Sequence, residues 1–320
     1  MSKLSNTSAL NRRKITDLFG QSISWLFSSI TIAVCFAIII YLVIKGKNKL
    51  SLDFLLTQPA ATMDQHKSGG ISTPLIGSII LTFIGIIVAF PWSLSTSIYL
   101  SEYSERNPVA GFFRVCIDIL AGVPTIVIAI FGLAIFSNPQ FGFLSSMVEG
   151  VAGARKAFGR SFLVCGLTMA VMVLPFIIKT CEEALKAVPA SYREGSLAMG
   201  ASKWHTITKI IIPSASNGII TGVVLGMGRI IGDTAIVWLT LGGTLRMTGH
   251  QPWWLPQNWW SALTNTGSTL TSYIFYTSPA GEVDMPQVAF AGSLVLIILI
   301  IILNLVVEFI GKSKSIQKEQ

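Results

Sequence analysis

The stretch that decides the fold class is residues 69–103, GGISTPLIGSIILTFIGIIVAFPWSLSTSIYLSEY. Its central part, Thr73–Leu100, contains no Asp, Glu, Lys or Arg. A helix needs roughly 20 apolar residues to cross about 30 Å of hydrocarbon. This stretch therefore predicts a membrane-spanning helix.

Five more apolar windows of similar character flank this one: Ile23–Ile44, Ile117–Phe136, Phe162–Ile178, Gly218–Leu241 and Val288–Ile310. Over all 320 residues, 52% are hydrophobic and only 12% are charged. A soluble domain carries roughly a quarter of its residues as charged side chains. The composition excludes an ordinary soluble domain and predicts an all-α polytopic membrane protein with six transmembrane helices.

The Lys and Arg residues predict the orientation of these spans. With both termini inside, the inner segments carry fourteen of these residues and the outer segments carry eight. Cytoplasmic segments are enriched in Lys and Arg, so both termini are expected in the cytoplasm. The lysines after the first window, Lys45, Lys47, Lys49 and Lys67, argue the other way. That window is too long for a signal peptide core and lacks a small-x-small cleavage site, so it is expected to stay as an anchor.

Several classes of function lack support in the sequence. The net charge of +8 fits basic anchors beside anionic lipid, and no basic run alternates with aromatics as in nucleic-acid sites. No phosphate-binding loop is present, and His66, His205 and His250 have no metal-ligand spacing. The sequence predicts neither a nucleotide hydrolase nor a metalloenzyme, and no cofactor.

The segment 179–213, KTCEEALKAVPASYREGSLAMGASKWHTITKIIIP, separates two apolar windows and is rich in charge. Gly200 interrupts two helix-compatible stretches, Ser202 is a candidate N-cap, and Pro213 can end the second helix. The pattern predicts a helix–turn–helix on the cytoplasmic face. From composition alone, a solvated connector is the other interpretation.

The spacing in this segment resembles the EAA-x3-G-x9-I-x-LP loop of permease subunits in binding-protein-dependent ABC importers. The matching or substituted positions are Glu194, Gly195, Ser196, Gly200, Ile210, Ile212 and Pro213. Gly195 and Ser196 replace the two alanines, and Ile212 replaces leucine. The resemblance implies that the loop docks into a groove of a separate ATPase subunit.

The fifth window places Arg229 and Asp233 inside apolar sequence. Ionisable groups at that depth are costly unless they are paired or line a polar cavity. Residues four apart share a helical face, so a structural ion pair is one interpretation. The other is a polar substrate path, to which the adjacent Thr234 would also belong.

Four stretches together resemble the phosphate-specific permeases of bacterial Pst importers, and among these the PstA type. They are residues 69–103, DILAGVPTIVIAIFG, AVPASYREGSLAMGASKW and GMGRIIGDTA, which cover most of Gly69–Leu241. Family members more often carry glutamate at the position of Asp233. The segment Gly242–Gln287 fits the family pattern poorly, and its tryptophans are interpreted as an interfacial belt. They are Trp253, Trp254, Trp259 and Trp260.

The resemblance implies a permease of the type I ABC importer fold in the bacterial inner membrane. The implied partners are a PstC-type permease, a dimer of PstB-type ATPase subunits and a periplasmic or lipid-anchored PstS-type binding protein. ATP hydrolysis is expected in the ATPase subunits. Pro91, Pro124 and Pro175 are candidate kinks or gates. The alternatives are a sulfate or molybdate permease, the PstC-type paralogue, a secondary transporter or channel, and a membrane enzyme.

The predicted organisation has six parts. They are a cytoplasmic tail (1–22), an anchor helix (23–44), a periplasmic loop (45–72), a permease core with five helices (73–310), the coupling loop within that core (179–213) and a second cytoplasmic tail (311–320).

Overall fold

The computed structural model describes the backbone of residues 2–60, 69–104, 107–145, 159–245, 247–249, 252 and 255–316, and side chains from 17 to 309 within those ranges. Across these ranges the regular elements are helices, apart from one isolated bridge between Pro59 and Gly69. The α-helices are α1 (Ser2–Gly46), α2 (Leu52–Leu56), α3 (Ser72–Ile98), α4 (Pro108–Gly122), α5 (Thr125–Phe136), α6 (Phe162–Lys186), α7 (Ala190–Ala198), α8 (Lys203–Thr206), α9 (Ile212–Ser214), α10 (Ser216–Gly232), α11 (Ala235–Thr240), α12 (Trp259–Thr264), α13 (Leu270–Thr277) and α14 (Pro286–Ile316).

Short helical segments of other types complete this set. Wider π-helical turns follow α3 (Tyr99–Tyr103) and α8 (Ile207–Ile211), and 3₁₀ turns cover Pro139–Leu144 and Pro256–Asn258.

Four helices are long and apolar enough to cross a membrane: Asp17–Gly46, Ser72–Tyr103, Phe162–Lys186 and Pro286–Phe309. Two further pairs qualify together but are bent: α4 with α5, and the segment Lys203–Ser214 with α10. Six crossings result if each bent pair counts as one. The predicted all-α polytopic class is confirmed.

Two predicted windows are not single helices: one breaks at Pro124, a candidate kink in the sequence, and the other breaks at Asp233, where no break was predicted. The window Ile117–Phe136 turns by 101° between α4 and α5. Val123 is extended there because a residue before proline avoids the helical region, and Pro124 itself has ψ 137°. The window Gly218–Leu241 is interrupted at Asp233, which is extended with φ −82° and ψ 130°. By contrast, Pro91 and Pro175 lie inside α3 and α6 without ending them.

The centre of the bundle is formed by α3, α6 and α10, which pack closely on one another. Glycines allow this approach. A Cβ added at Gly85 would lie 2.7 Å from Ile230 Cδ1, and one at Gly226 would lie 2.8 Å from Ile177 Cδ1. Small residues let helices approach closely where hydrophobic burial alone gives no preference for a partner.

The segment between α11 and α14 packs onto this centre. The backbone N–H of Phe162 donates to Asn265 O (3.3 Å), and the N–H of Leu270 donates to Ser78 Oγ (2.8 Å). Trp259 and Trp260 are exposed, as an interfacial belt requires, whereas Trp253 and Trp254 lie outside the described residues.

The first helix, α1, packs mainly on α14. Its ring contact between Tyr41 and Phe290 of α14, with centroids 5.6 Å apart, lies near its carboxyl end. The most apolar window of α1 is 0% buried, whereas that of α6 is 67% buried.

Several basic residues that contribute to the predicted orientation lie outside the described residues: Lys67, Arg106, Arg155, Lys156 and Arg246. The hairpin formed by α7 and α8 marks one end of the bundle, which we call the loop end.

Candidate functional site

The predicted helix–turn–helix is present as α7 and α8. Gly200 lies between them with φ +81°, a left-handed conformation that glycine adopts without steric cost. Ser202 caps α8, since its Oγ accepts from the N–H of His205 (3.3 Å). The hydroxyls of Ser196 and Thr206 lie 2.8 Å apart and join the two helices. Pro213 lies within the next helical turn, and the chain then bends by 68° into α10.

Helices α7 and α8 and the turn between them carry exposed apolar side chains. Four large side chains are exposed there: Tyr192, Leu197, Met199 and Trp204. Glu194 and Gly195 are exposed between them, and a Cβ added at Gly195 would meet no atom within 4 Å. Clustered apolar side chains of this kind occur on surfaces that bind another protein or a membrane. We call these six residues the loop surface.

An ion pair ties this hairpin to the end of α3. Arg193 of α7 binds Glu102, with Nη2 2.7 Å from Oε1 and Nε 3.2 Å from Oε2. The side chain of Glu102 is only 5% exposed. Arg193 also donates to Val188 O (2.6 Å) and Leu185 O (2.8 Å). Planar, bidentate pairs of this type fix geometry as well as charge. We call the pair the α3–α7 tether.

A second charged cluster joins other helices at the same end. Glu182 of α6 pairs with Arg114 of α4 (3.0 Å) and with Lys186 (2.6 Å). Arg114 also donates to Leu100 O (2.9 Å). Helices α3, α4, α6 and α7 are therefore connected by charge-assisted contacts at the loop end.

The predicted path residues lie at the break between α10 and α11. Arg229 is exposed; its Nε donates to Met172 Sδ (3.1 Å), and its Cζ lies 4.1 Å from the centre of the Phe176 ring. Asp233 Oδ1 accepts from the N–H of Ile236 (2.8 Å) and so caps α11. Within the described residues, no ion pair forms between Arg229 and Asp233. The reason is that α10 ends at Gly232 and Asp233 is extended. The spacing of four residues therefore does not place Arg229 and Asp233 on one helical face.

The third predicted path residue, Thr234, is half-buried and begins α11. Two residues that the sequence did not indicate approach the same place. Thr271 Oγ1 donates to Asp233 O (3.3 Å), and the Thr125 hydroxyl interacts with the Asp233 carboxylate. The break is thus lined by hydroxyl groups from α5 and α13 as well as by its own residues.

Glu102 is a functional candidate that sequence patterns did not indicate. The available signal was a single acid directly after an apolar window that otherwise has no charge. Such an acid needs a partner when it is buried, but the partner lies 91 residues away.

The chain matches a known protein family over most of its length. Residues 84–314 match the family described as the binding-protein-dependent transport system inner membrane component. The chain belongs to this family. It is therefore a multi-pass permease subunit of an ABC importer, as the loop spacing predicted.

Relatives include the probable ABC transporter permease protein YqgI of Bacillus subtilis, which is 31% identical over 302 residues, or 93% of this chain and 96% of that protein. The phosphate transport system permease protein PstA of Mycobacterium leprae is 33% identical over 180 residues, or 56% of this chain and 54% of that protein. PstC of Pasteurella multocida is 28% identical over 65% of each chain. Similarity to both permease types does not separate them.

Solved structures support the fold. A chain from the bacterial alginate ABC transporter in complex with an alginate-bound periplasmic protein has a TM-score of 0.59. The match covers 91% of this chain and 95% of that one at 14% identity. Identity at this level shows the permease fold alone.

Proposed function

We propose that this chain is a permease subunit of an ATP-driven importer of inorganic phosphate, of the PstA type. The substrate assignment is supported by its similarity to phosphate permeases named PstA and PstC. It is also supported by Arg229 within the fifth span, because a cation at membrane depth attracts an oxyanion.

The proposal that this chain couples to an ATPase rests on the exposed residues of the loop surface. Four large exposed side chains lie within residues 192–204, on either side of Glu194 and the Gly200 turn in the chain, and they are available to an ATPase subunit. Interfaces of this kind combine apolar anchors with a polar rim. Ile210, Ile212 and Pro213 lead from this surface into α10, and the Ser196 hydroxyl joins α7 to α8.

The α3–α7 tether can couple movement of the hairpin to movement of α3. When the ATPase subunits close on ATP, they move α7 and α8. The partly buried pair between Arg193 and Glu102 transmits that movement to α3, because a bidentate pair resists both sliding and rotation. Helix α10 receives the same movement through the backbone of Lys203–Ser214.

The substrate path is assigned to Arg229, Asp233 and Thr234. Arg229 supplies the positive field. Asp233 accepts a hydrogen bond from the protonated oxygen of hydrogen phosphate, a donor that sulfate at neutral pH lacks. Weak binding suits this role, because a tight site would hold the ion and slow its release.

The proposed assembly contains this chain, a PstC-type permease, two PstB-type ATPase subunits and a PstS-type binding protein. It lies in the bacterial inner membrane with both termini in the cytoplasm. Cysteines introduced singly at Ser202 and Thr248, both exposed, test the orientation. Labelling of Ser202→Cys from the cytoplasmic side only, and of Thr248→Cys from outside only, is expected. The reverse pattern would contradict the docking role of the loop.

The central experiment is purification of the assembled complex into proteoliposomes, followed by measurement of ATP hydrolysis. Hydrolysis is expected to rise with a phosphate-loaded binding protein and to stay basal with the unloaded one. Stimulation by a sulfate-loaded or molybdate-loaded binding protein would show that the substrate is that oxyanion and not phosphate. A complex that carries the loop variant Glu194→Lys is expected to assemble but to hydrolyse ATP without transport.

A further inference from the structure

The chain that joins α12 to α13 is buried although it is polar. We call residues 264–272, TNTGSTLTS, the hydroxyl segment. Residues 265–269 within it are not helical. Its serines and threonines are all buried: Thr264, Thr266, Ser268, Thr269, Thr271 and Ser272. Non-helical backbone inside a membrane protein must be covered by protein or reached by water, so the contacts of this segment indicate its role.

On one side, the hydroxyl segment is fixed to α3. The backbone N–H of Leu270 donates to Ser78 Oγ (2.8 Å), and the Ser78 hydroxyl donates to Pro74 O (3.1 Å). The two backbones also meet directly, because a Cβ added at Gly77 would overlap Ser268 O. Helix α3 therefore provides a firm support for the segment.

On the other side, the segment reaches the break between α10 and α11. The hydroxyls of Thr269 and Thr271 lie 2.8 Å apart, and Thr271 Oγ1 donates to Asp233 O (3.3 Å). A threonine hydroxyl has one hydrogen. Because that of Thr271 points to Asp233 O, Thr269 donates in the contact between the two threonines. A chain of hydrogen bonds thus ends on the backbone of Asp233.

The carbonyl of Asp233 needs a donor from outside its own helix. Asp233 is extended, with ψ 130°, and among the described residues no backbone N–H donates to its oxygen. The next carbonyl along the chain, Thr234 O, accepts from the N–H of Trp238 (2.9 Å). An unpaired backbone carbonyl at membrane depth is costly. The Thr271 hydroxyl takes the place of the missing helical N–H.

The carboxylate of the same residue is held at the same time. Its Oδ1 accepts from the N–H of Ile236 (2.8 Å), and the Thr125 hydroxyl of α5 interacts with it. Contacts to both the backbone and the side chain of Asp233 restrict how the carboxylate can turn. An acceptor held in one orientation acts on a passing donor more effectively than one that must be oriented first.

We propose that Thr271 is a positioning residue of the substrate path, and that the hydroxyl segment holds the Asp233 carboxylate where hydrogen phosphate passes. The inference rests on the proposed phosphate function and deepens it. Thr271 does not touch the ion; it acts through Asp233. The segment between α11 and α14 therefore contributes to the choice of substrate.

Three variants of α13 test this role in proteoliposomes that contain the assembled complex. Thr271→Val removes the hydroxyl at nearly constant volume, and Thr271→Ser keeps it. Thr277→Val is the matched control, because Thr277 is a buried threonine of the same helix whose hydroxyl donates within that helix, to Tyr273 O (2.9 Å). Phosphate uptake is measured at several concentrations of the phosphate-loaded binding protein.

Thr271→Val is expected to lower the maximal uptake per assembled complex about tenfold, as the loss of one hydrogen bond allows. The apparent KM for the loaded binding protein should not change, because a buried hydroxyl takes no part in docking. Thr271→Ser and Thr277→Val should match the parent. Equal losses in the two valine variants, or a loss of assembly in Thr271→Val alone, would assign this hydroxyl to folding and overturn the proposal.

A double variant separates positioning from an independent effect. If Thr271 acts through Asp233, then Thr271→Val combined with Asp233→Asn should lose about as much uptake as Asp233→Asn alone, about tenfold. Independent effects would multiply to about a hundredfold loss, which would contradict the proposal. Stimulation of ATP hydrolysis in the parent complex by the phosphate-loaded binding protein tests the phosphate function separately. Normal stimulation of the parent with normal uptake by Thr271→Val would refute the positioning role alone.

Discussion

Opposite charges form an ion pair at the loop end but not at the α10–α11 break. At the loop end, Arg193 and Glu102 are 91 residues apart in sequence, yet they form a partly buried bidentate pair. At the break, Arg229 and Asp233 are four residues apart and make separate contacts. Closeness in sequence therefore does not decide pairing. In the proposed function the pair transmits movement, whereas the exposed Arg229 remains available to a passing ion.

The largest expected effect comes from breaking the tether. Glu102→Ala leaves the Arg193 guanidinium without its buried carboxylate and should destabilise the protein by about 3 kcal/mol. Thermal unfolding of the assembled complex measures the loss. The double variant with Arg193→Ala should be less destabilised than the single variant, because no unpaired charge remains. A single variant as stable as the parent would remove the tether from the coupling mechanism.

A smaller effect is expected at the turn of the hairpin. Gly200→Val forces a β-branched residue into φ +81°, at a cost of about 2 kcal/mol, and should lower transport per ATP hydrolysed. Gly195→Ala is the matched control, because an added Cβ meets open space at both glycines but Gly195 is helical. The alanine variant should be coupled normally. Equal coupling in the two variants would show that the conformation of the turn is not needed.

The break is tested with a variant that keeps its local structure. Asp233→Asn retains an oxygen that can accept from the N–H of Ile236 but removes the negative charge. Uptake is expected to fall about tenfold, since hydrogen bonds to charged groups contribute about 1.5 kcal/mol or more. Asp118→Asn is the control, because its pair with Lys179 is exposed and such pairs contribute little. Normal uptake by the Asp233 variant would limit this residue to capping α11.

The smallest effect is expected for Ser196→Ala. This change removes the 2.8 Å contact with the Thr206 hydroxyl and should cost about 1 kcal/mol. Ser202 Oγ still accepts from the N–H of His205, so α8 remains capped and transport should be unchanged. A loss of transport in a normally assembled complex would mean that Ser196 contacts the ATPase directly.

Local sequence was sufficient for some features of both regions. Gly200 and Ser202 predicted the turn and the cap because glycine conformation and N-cap bonding involve only neighbouring residues. The loop spacing also identified the permease family. The break at Asp233 was missed, since hydropathy continues across it from Gly218 to Leu241.

The sequence by itself determined the membrane class, the six apolar windows and the family, because each depends on composition or short-range spacing. Only the tertiary structure decided which windows form the centre. The windows of α1 and α6 have similar hydropathy, 2.6 and 2.2, yet 0% of one and 67% of the other are buried. Apolar composition places a helix in the membrane but does not choose its neighbours. That choice comes from close contacts such as Gly85 on Ile230 and from the distant pair of Arg193 with Glu102.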